Sequence, residues 1–340
     1  MKKYLLPKQG NFYKANMHVH TTYSDGILTP EEVKALYKKN GYSIVAFTDH
    51  ELLKPHNYLA DEEFLPITAV ELATNEDDHY PFPYTKTYHL NLYAKDKNAN
   101  CYSVRDNQRI WPGKVRDFET EEQKEVNYRR VCTVESMNDV IAKANAEGFL
   151  VSYNHPAWSV QSYNDYADLK GVWGVEIFNT ASVLGGYPEC ENPWVDMLRL
   201  GANIFPLAAD DAHGALDTCG GWIMVKSEKL EYDTVMQALE RGDFYASTGP
   251  QIEELSIEDG IVTVRCSAAK SIHVLAERRN TWAKHSANGE FVTEASFDIN
   301  GYLKECNMPA KRYPHYIRVV VTDEYGKKAY SRAYRLEEIQ

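Results

Sequence analysis

The sequence predicts an α/β layer protein, a series of strand-and-helix units closing into a barrel, followed by a small all-β region of sandwich-like character. Three observations carry this expectation. Strand-like apolar runs alternate with helical stretches up to Arg241. After Gly249-Pro250 the helical pattern gives way to short β-like runs. Histidines and acids recur where the early strand-like runs end, and a βα barrel gathers its functional side chains on that rim. The expected domains are residues 1–250 and residues 251–340.

The elements follow in order. Tyr13 to Met17 reads as a strand running into His18-Val19-His20, and strand alternation puts both imidazoles on one face. Thr29-Pro30-Glu31-Glu32 supplies a cap, an early proline and early acids, and Val33, Leu36 and Tyr37 then recur at helical spacing until Asn40-Gly41. Strand-like runs follow at Ile44 to His50, Ile67 to Glu71, Thr87 to Tyr93, Leu150 to Pro156, Gly174 to Asn179, Ile204 to His213 and Gly221 to Val225. Helices are expected after Ser136-Met137-Asn138-Asp139, over Trp194 to Arg199 and over Tyr232 to Arg241. Periodicity alone gives about seven or eight barrel strands. Beyond Pro250, Glu254 to Ile257, Ile261 to Cys266, Ile272 to Ala276 and Tyr316 to Thr322 read as β, the last turning through Asp323-Glu324-Tyr325-Gly326 into Lys328 to Tyr334.

Six of the eleven histidines, with three acids, make an ordered series: His18, His20, Asp25, His50, Glu71, His89, His155, Asp211 and His213. One HxH pair is weak; nine such residues where strand-like runs end are in an order suited to a multi-metal site. Imidazole and carboxylate without thiolate suit Zn, Mn or Fe, and nine ligands are too many for one ion but fit up to three sharing a bridge, for which Glu71 is the natural candidate. Asp49 and Asp210 alternate away from their neighbours and are expected to orient ligands or cap a helix.

This series resembles the polymerase and histidinol phosphatase (PHP) family, whose HxH, TDH, Glu, His, NHP and DxH elements occur here in order between about residues 13 and 250. The resemblance implies a TIM-barrel-like fold, distorted and built on seven strands, with a β-module behind it. It also implies a partition of ligands: His18, His20, Glu71 and Asp211 at a first metal, Glu71, His89 and His155 at a second, and Asp25, His50 and His213 at a third. Closely spaced metals can hold a bridging hydroxide as nucleophile, here near Glu71 and Asp211, and stabilise displacement at phosphorus. The expected enzyme is therefore a metal-dependent phosphoric ester hydrolase acting on a small phosphorylated substrate, a metabolite or nucleotide, by attack on a phosphomonoester or phosphodiester. The alternatives are a nuclease or exonuclease acting on oligonucleotides, and a non-catalytic metal-stabilised scaffold whose β-module binds a partner or glycan.

Composition separates these. With 37 basic and 49 acidic side chains the formal charge is -12, which opposes attraction to nucleic-acid phosphates and anionic membranes. No nucleic-acid or membrane partner is expected, and the sequence does not specify an oligomeric state. The six cysteines, at 101, 132, 190, 219, 266 and 306, form no CxxC pair and read as free thiols. The apolar run after Met1-Lys2-Lys3 is too short for a signal peptide, so a cytoplasmic location is expected. Two loops, 75–86 and 95–131, interrupt the regular spacing and are candidate lids. Tyr80, Phe82, Tyr84, Lys86, Lys114, Arg129 and Arg130 are their candidate substrate contacts, with packing favoured for any single one. His56, His79, His273, His285 and His315 fall off the pattern and are expected at the surface.

Overall fold

A computed structural model describes residues 1–76, 85–110, 114–306 and 314–340. Its first ten strands are β1 (Lys3–Tyr4), β2 (Asn11–Asn16), β3 (Ile44–Phe47), β4 (Leu65–Asn75), β5 (Thr87–Ala94), β6 (Phe149–Tyr153), β7 (Gly174–Asn179), β8 (Phe205–Ala209), β9 (Trp222–Ser227) and β10 (Phe244–Ser247). Eight more follow Pro250: β11 (Ile252–Glu258), β12 (Ile261–Ala269), β13 (Ser271–Ala276), β14 (Thr281–His285), β15 (Val292–Asp298), β16 (Tyr316–Thr322), β17 (Lys328–Ser331) and β18 (Tyr334–Arg335). The N-terminal region is thus α/β and the C-terminal region β-rich.

Local chemistry explains where the helices start. In the helix Pro30–Lys39, Thr29 Oγ1 accepts from Glu32 N and Glu32 accepts from Thr29 N, a reciprocal cap. Its buried face, Pro30, Val33 and Tyr37, packs toward β3. The helix expected after Ser136 begins earlier, at Val134, because Thr133 is the cap and accepts from Ser136 N. The helix expected from Trp194 likewise begins earlier, at Glu191.

Strands β2 to β8 are hydrogen-bonded in sequence order, and β2 pairs on its other side with β9. From β9 the same sheet continues through β10, β17, β16, β13 and β14. A second sheet is ordered β1-β11-β12-β15. Ile44, Ile67, Leu90, Val151, Val175 and Leu207, one from each of β3 to β8, are buried in the main core. Such near-continuous apolar runs suit strands covered on both faces. A second apolar core lies between the sheets, joining Leu255, Val262, Val264 and Phe297 to Ile272, Val274, Ile317 and Val319. Two pairings link the chain on either side of Pro250, β10 with β17 and β1 with β11.

One expectation about strand ends needs correction. Glu71 lies within β4 and His89 near the start of β5, so neither follows a strand's C-terminal end. The cause is topological. Strand β5 runs antiparallel to both β4 and β6, whereas β2-β3-β4 and β6-β7-β8 are parallel, so β5 enters the rim where its neighbours leave it. Ala73 pairs with His89 and Glu71 with Asn91, which makes His89 the diagonal neighbour of Glu71 on one face.

The segment 95–131 carries two short helices, Val115–Phe118 and Glu121–Glu125, and is fixed by buried arginines. Arg130, a candidate substrate contact, is fully buried: its guanidinium bonds Glu51 and reaches Val104 O at 3.2 Å and Ala73 O at 3.3 Å. Lys86 pairs with Asp165 at 2.8 Å, and Arg129 lies 3.6 Å from Asp106. Lys114 is exposed. Tyr80, Phe82, Tyr84 and His79 lie outside the described residues. His56 and His315 are buried rather than superficial, His56 among the rings of Tyr23, Phe47 and Tyr58 and His315 against Glu277. Among the described residues all six cysteines are free, and no helix is long and apolar enough to cross a membrane.

Candidate metal centre

The stretch after β2 runs beside the stretch after β8. Val19 bridges Ala212 in parallel, His20 N donates to Ala212 O at 2.9 Å, and Asp211 N donates to His18 O at 2.9 Å. Extended backbone there turns His18 and His20 to one side, with ring centroids 5.2 Å apart. Asp25 reaches them from a turn held by the Asp49 carboxylate, which accepts from Thr21 N and Oγ1 at 2.8 Å each and from Ser24 Oγ at 2.7 Å. Asp210 accepts from Tyr37 Oη at 2.8 Å and from Gly220 N at 3.0 Å. Both acids face away from the cluster and brace the chain beside it, as alternation predicts.

Three residues in or beside the site adopt positive φ without being glycine: Glu51 at 56°, His155 at 26° and Asp211 at 55°. Each such conformation costs on the order of 1–3 kcal/mol and persists where surroundings over-determine it. Here each backbone N–H is tied to another part of the site, Glu51 to Glu71 O, Asp211 to His18 O and His155 to the Glu176 carboxylate.

All nine candidate residues come together. Ligating atoms fall within 4.8 Å of one another in overlapping groups: His18, His20, Glu71 and Asp211; Glu71, His89 and His155; and His20, Asp25, His50 and His213. Glu71 is central. Its Oε1 lies 3.2 Å from His18 Nε2, 3.0 Å from His89 Nδ1 and 3.3 Å from His155 Nε2, while Oε2 lies 3.3 Å from both His20 Nε2 and His50 Nδ1. His20 also reaches two groups, with Nε2 3.1 Å from Asp211 Oδ1 and Nδ1 3.5 Å from Asp25 Oδ1. The cluster opens to solvent at Asp25 and His213, whose side chains are 31% and 37% exposed, while His18 and Glu71 are buried.

The site's charges are strongly coupled. Burial works to lower the pKa of His18, yet the carboxylates of Asp211, Glu71 and Glu176 outweigh it and hold the ring well above the usual imidazole range. For His20 burial is again overcome, by Asp211 and Glu71, and its pKa rises to about 10. His50 goes the other way: burial prevails over Asp25, and its pKa falls to about 3. Burial opposes ionisation of Glu71 and Asp211, but the surrounding imidazoles hold both well below the usual carboxylate range.

Sequence reasoning missed four residues. Glu176, on β7, has Oε1 2.7 Å from His18 Nδ1 and is buried. Asn179 Nδ2 bonds Glu176 Oε2 at 2.9 Å and Asp211 Oδ2 at 3.2 Å, and Asn154 Nδ2 donates to Glu71 Oε1 at 3.0 Å. Trp158 is 42% exposed and lies with its ring centroid 5.0 Å from that of His155 and 5.4 Å from that of His89. The available signal for Glu176 was an acid inside the apolar run Gly174 to Asn179, where a carboxylate is stable only if paired.

Residues 16–107 match the family model described as the PHP domain, a span that includes six of the nine candidate residues. Several solved structures show distant likeness. A two-domain protein from Bacteroides vulgatus, described as containing a predicted PHP-like metal-dependent phosphoesterase, is 14% identical with 98% of each chain covered and a TM-score of 0.45. An amidohydrolase from Chromobacterium violaceum is 16% identical over 59% of this chain and 87% of its own, with a TM-score of 0.40. A lesion-specific endonuclease from Pyrococcus furiosus is 14% identical over 68% of this chain and 56% of its own, at 0.37. No curated protein matches the sequence. Residues 16–107 are thus similar to the PHP domain, and the chain joins to that stretch clustered His, Asp and Glu side chains able to hold metal and a β-rich region after it.

Proposed function

We propose that this protein is a metal-dependent phosphoesterase that hydrolyses a small phosphorylated metabolite or nucleotide, using up to three divalent ions of Zn, Mn or Fe held by the nine clustered side chains. The observation that carries this reading is the pair of Glu71 oxygens, each facing a different set of imidazoles. One carboxylate so placed can bridge neighbouring cations. The donor set fits: nitrogen and carboxylate oxygen without thiolate, and a buried Glu71 Oε2 that accepts no hydrogen bond among the described residues although imidazole nitrogens surround it.

Divalent ions held there would polarise a phosphoryl oxygen and make water nucleophilic near neutral pH. The chain's own contribution is placement. Glu71 and Asp211 present oxygens on one side of His18 and His20, and the Asp25 and His213 side leaves an open approach for a phosphoryl group. Trp158 overlooks the His89 and His155 rings, where a substrate's remaining bulk would lie. The net charge of -12 favours a small ligand over a polyanionic strand. In this reading β2 to β8 form a distorted seven-stranded barrel closed by the Val19–Ala212 bridge, and residues 251–340 form a sandwich-like module joined to it by strand pairing rather than by a free linker.

The test is hydrolysis by metal-analysed protein across phosphomonoesters, nucleotide bisphosphates, cyclic phosphates and short oligonucleotides, with Glu71→Ala as control. Metal-dependent turnover of a small member, lost with bound metal in Glu71→Ala, is expected. Turnover of oligonucleotides alone would move the assignment to a nuclease, and bound metal without any turnover to a scaffold.

A further inference from the structure

Glu176 stands behind the metal centre, and three separate donors converge on it. Its Oε1 lies 2.7 Å from His18 Nδ1. Its Oε2 accepts from His155 N at 3.1 Å and from Asn179 Nδ2 at 2.9 Å. Through Asn179 the same carboxylate is linked to Asp211, whose Oδ2 accepts from the Asn179 amide at 3.2 Å. His18, His155 and Asp211 come from three different stretches of the chain, and Glu176 is 1% exposed in the middle of β7.

We propose that Glu176 is a positioning residue for the metal centre: it fixes which nitrogen His18 presents, anchors the His155 backbone in its left-handed conformation, and steers Asp211 through Asn179. This rests on the metal-site reading above. With Glu176 as the acceptor for three converging donors, the hydrogen bond to His18 places the ring proton on Nδ1. That leaves Nε2 with its lone pair directed at the side where Glu71 Oε1 and Asp211 Oδ1 each stand 3.2 Å away. A carboxylate behind a ligating imidazole sets the ring's orientation and raises its basicity. Glu176 could itself be counted a ligand, since it groups with His18 and His155 within 4.8 Å. The hydrogen-bond pattern argues otherwise, because both its oxygens are already occupied by donors.

Glu176→Gln is the informative change, since it keeps the size but replaces one acceptor oxygen with a donor NH2. Placed toward His155 N and Asn179, that NH2 opposes two donors; placed toward His18, it forces the ring proton onto Nε2. Zinc affinity, read by competition with a chromophoric chelator, is expected to fall about 10–100-fold, with fewer ions retained by elemental analysis. Glu277→Gln is the control for a merely structural loss: Glu277 is also buried and bonded to a histidine, His315 at 2.7 Å, but lies in the β-rich region. It should leave zinc affinity unchanged. Should Glu176→Gln not fold, Glu176→Asp keeps an acceptor-only group one methylene short and should lose about 10-fold. Wild-type affinity and ion count in the Glu176 variant that folds, or an equal loss in Glu277→Gln, overturns the proposal. Because zinc binding is read without turnover, a wild-type protein that hydrolyses no phosphoester would defeat the functional assignment and leave this result standing.

Discussion

Replacing Arg130 with Met should destabilise the protein by about 3–5 kcal/mol, the cost of breaking a buried ion pair by removing one partner. Arg130 and Glu51 are essentially inaccessible to solvent, and the guanidinium also satisfies the carbonyls of Val104 and Ala73. Met roughly preserves volume, so the loss is mainly electrostatic. Among the described residues the Glu51 carboxylate would then accept from the Ala73 backbone N–H at 3.1 Å and from Tyr102 Oη at 3.3 Å. For 340 residues the entropy of unfolding is on the order of 0.7 kcal/mol/K, which converts the loss to a fall in Tm of about 4–7 °C. Scanning calorimetry measures it. The double variant Arg130→Met/Glu51→Gln removes the stranded charge and should melt higher than Arg130→Met alone. A shift under about 1 °C, or a double variant that melts no higher than the single one, refutes the account. Metal retention should fall in Arg130→Met too, because Glu51 follows His50 and its N–H donates to Glu71 O at 2.9 Å.

Three further outcomes follow from the same geometry. Burial, helped by Lys54 and opposed by Asp49 and Glu31, pushes the His56 pKa down to about 4, so the folded state favours the neutral ring. Its stability contribution is complete above the unfolded pKa of about 6.5 and is lost as pH falls toward about 4; His56→Phe should therefore remove about 2 kcal/mol of the stability lost between about pH 7.5 and about pH 5, measured by urea unfolding, and an unchanged pH dependence rejects this. Gly26→Ala would place a Cβ 2.7 Å from Thr21 N and closer still to the His20 carbonyl, displacing the turn that carries Asp25. Elemental analysis should show fewer retained ions per chain, whereas a full complement would mean that the turn can yield. Trp158→Ala should lower kcat/KM about 5-fold for substrates with a flat ring, from about 1 kcal/mol of lost ring contact, without changing metal content; an equal kcat/KM removes Trp158 from the substrate face.

His18, His20, His50, His155, Asp211 and His213 were legible because each lies just past a strand-like run that marks its own end in sequence, while Glu71 and His89, which sit inside their strands, were legible only by residue type. The turn at Asp25 was legible for a related reason, Ser24-Asp25-Gly26 being a local signal. The reversed strand β5 was not. His89 lies in an apolar run that reads the same in either direction, and only the pairing partners, Ala73 for His89 and Tyr153 for Leu90, give its direction. The burial of Arg130 agrees with the packing role favoured for any single residue of segment 95–131, but its partner could not be read from sequence, because Glu51 lies 79 residues away.

Glu176 shows what a one-dimensional pattern omits. Its partners lie 158 residues before it, at His18, and 21 residues before it, at His155, so no spacing rule connects them. What sequence offers is the anomaly alone, a carboxylate in a strand otherwise apolar, and burial physics demands that such a group be paired. The converse holds at Asp49 and Asp210. Both lie beside candidate ligands, yet strand alternation turns them outward to hold turns. An acid adjacent in sequence to a ligand is therefore a poor guide to the inner site, while an acid alone in a buried strand is a better one. The same reasoning marks Glu277, in the β-rich region, as an acid whose burial is satisfied by His315 and Tyr302. Its surroundings hold one carboxylate and one imidazole where the cluster around Glu71 holds three and six, so identical burial chemistry serves packing there and gathers a set of side chains able to hold metal at Glu71.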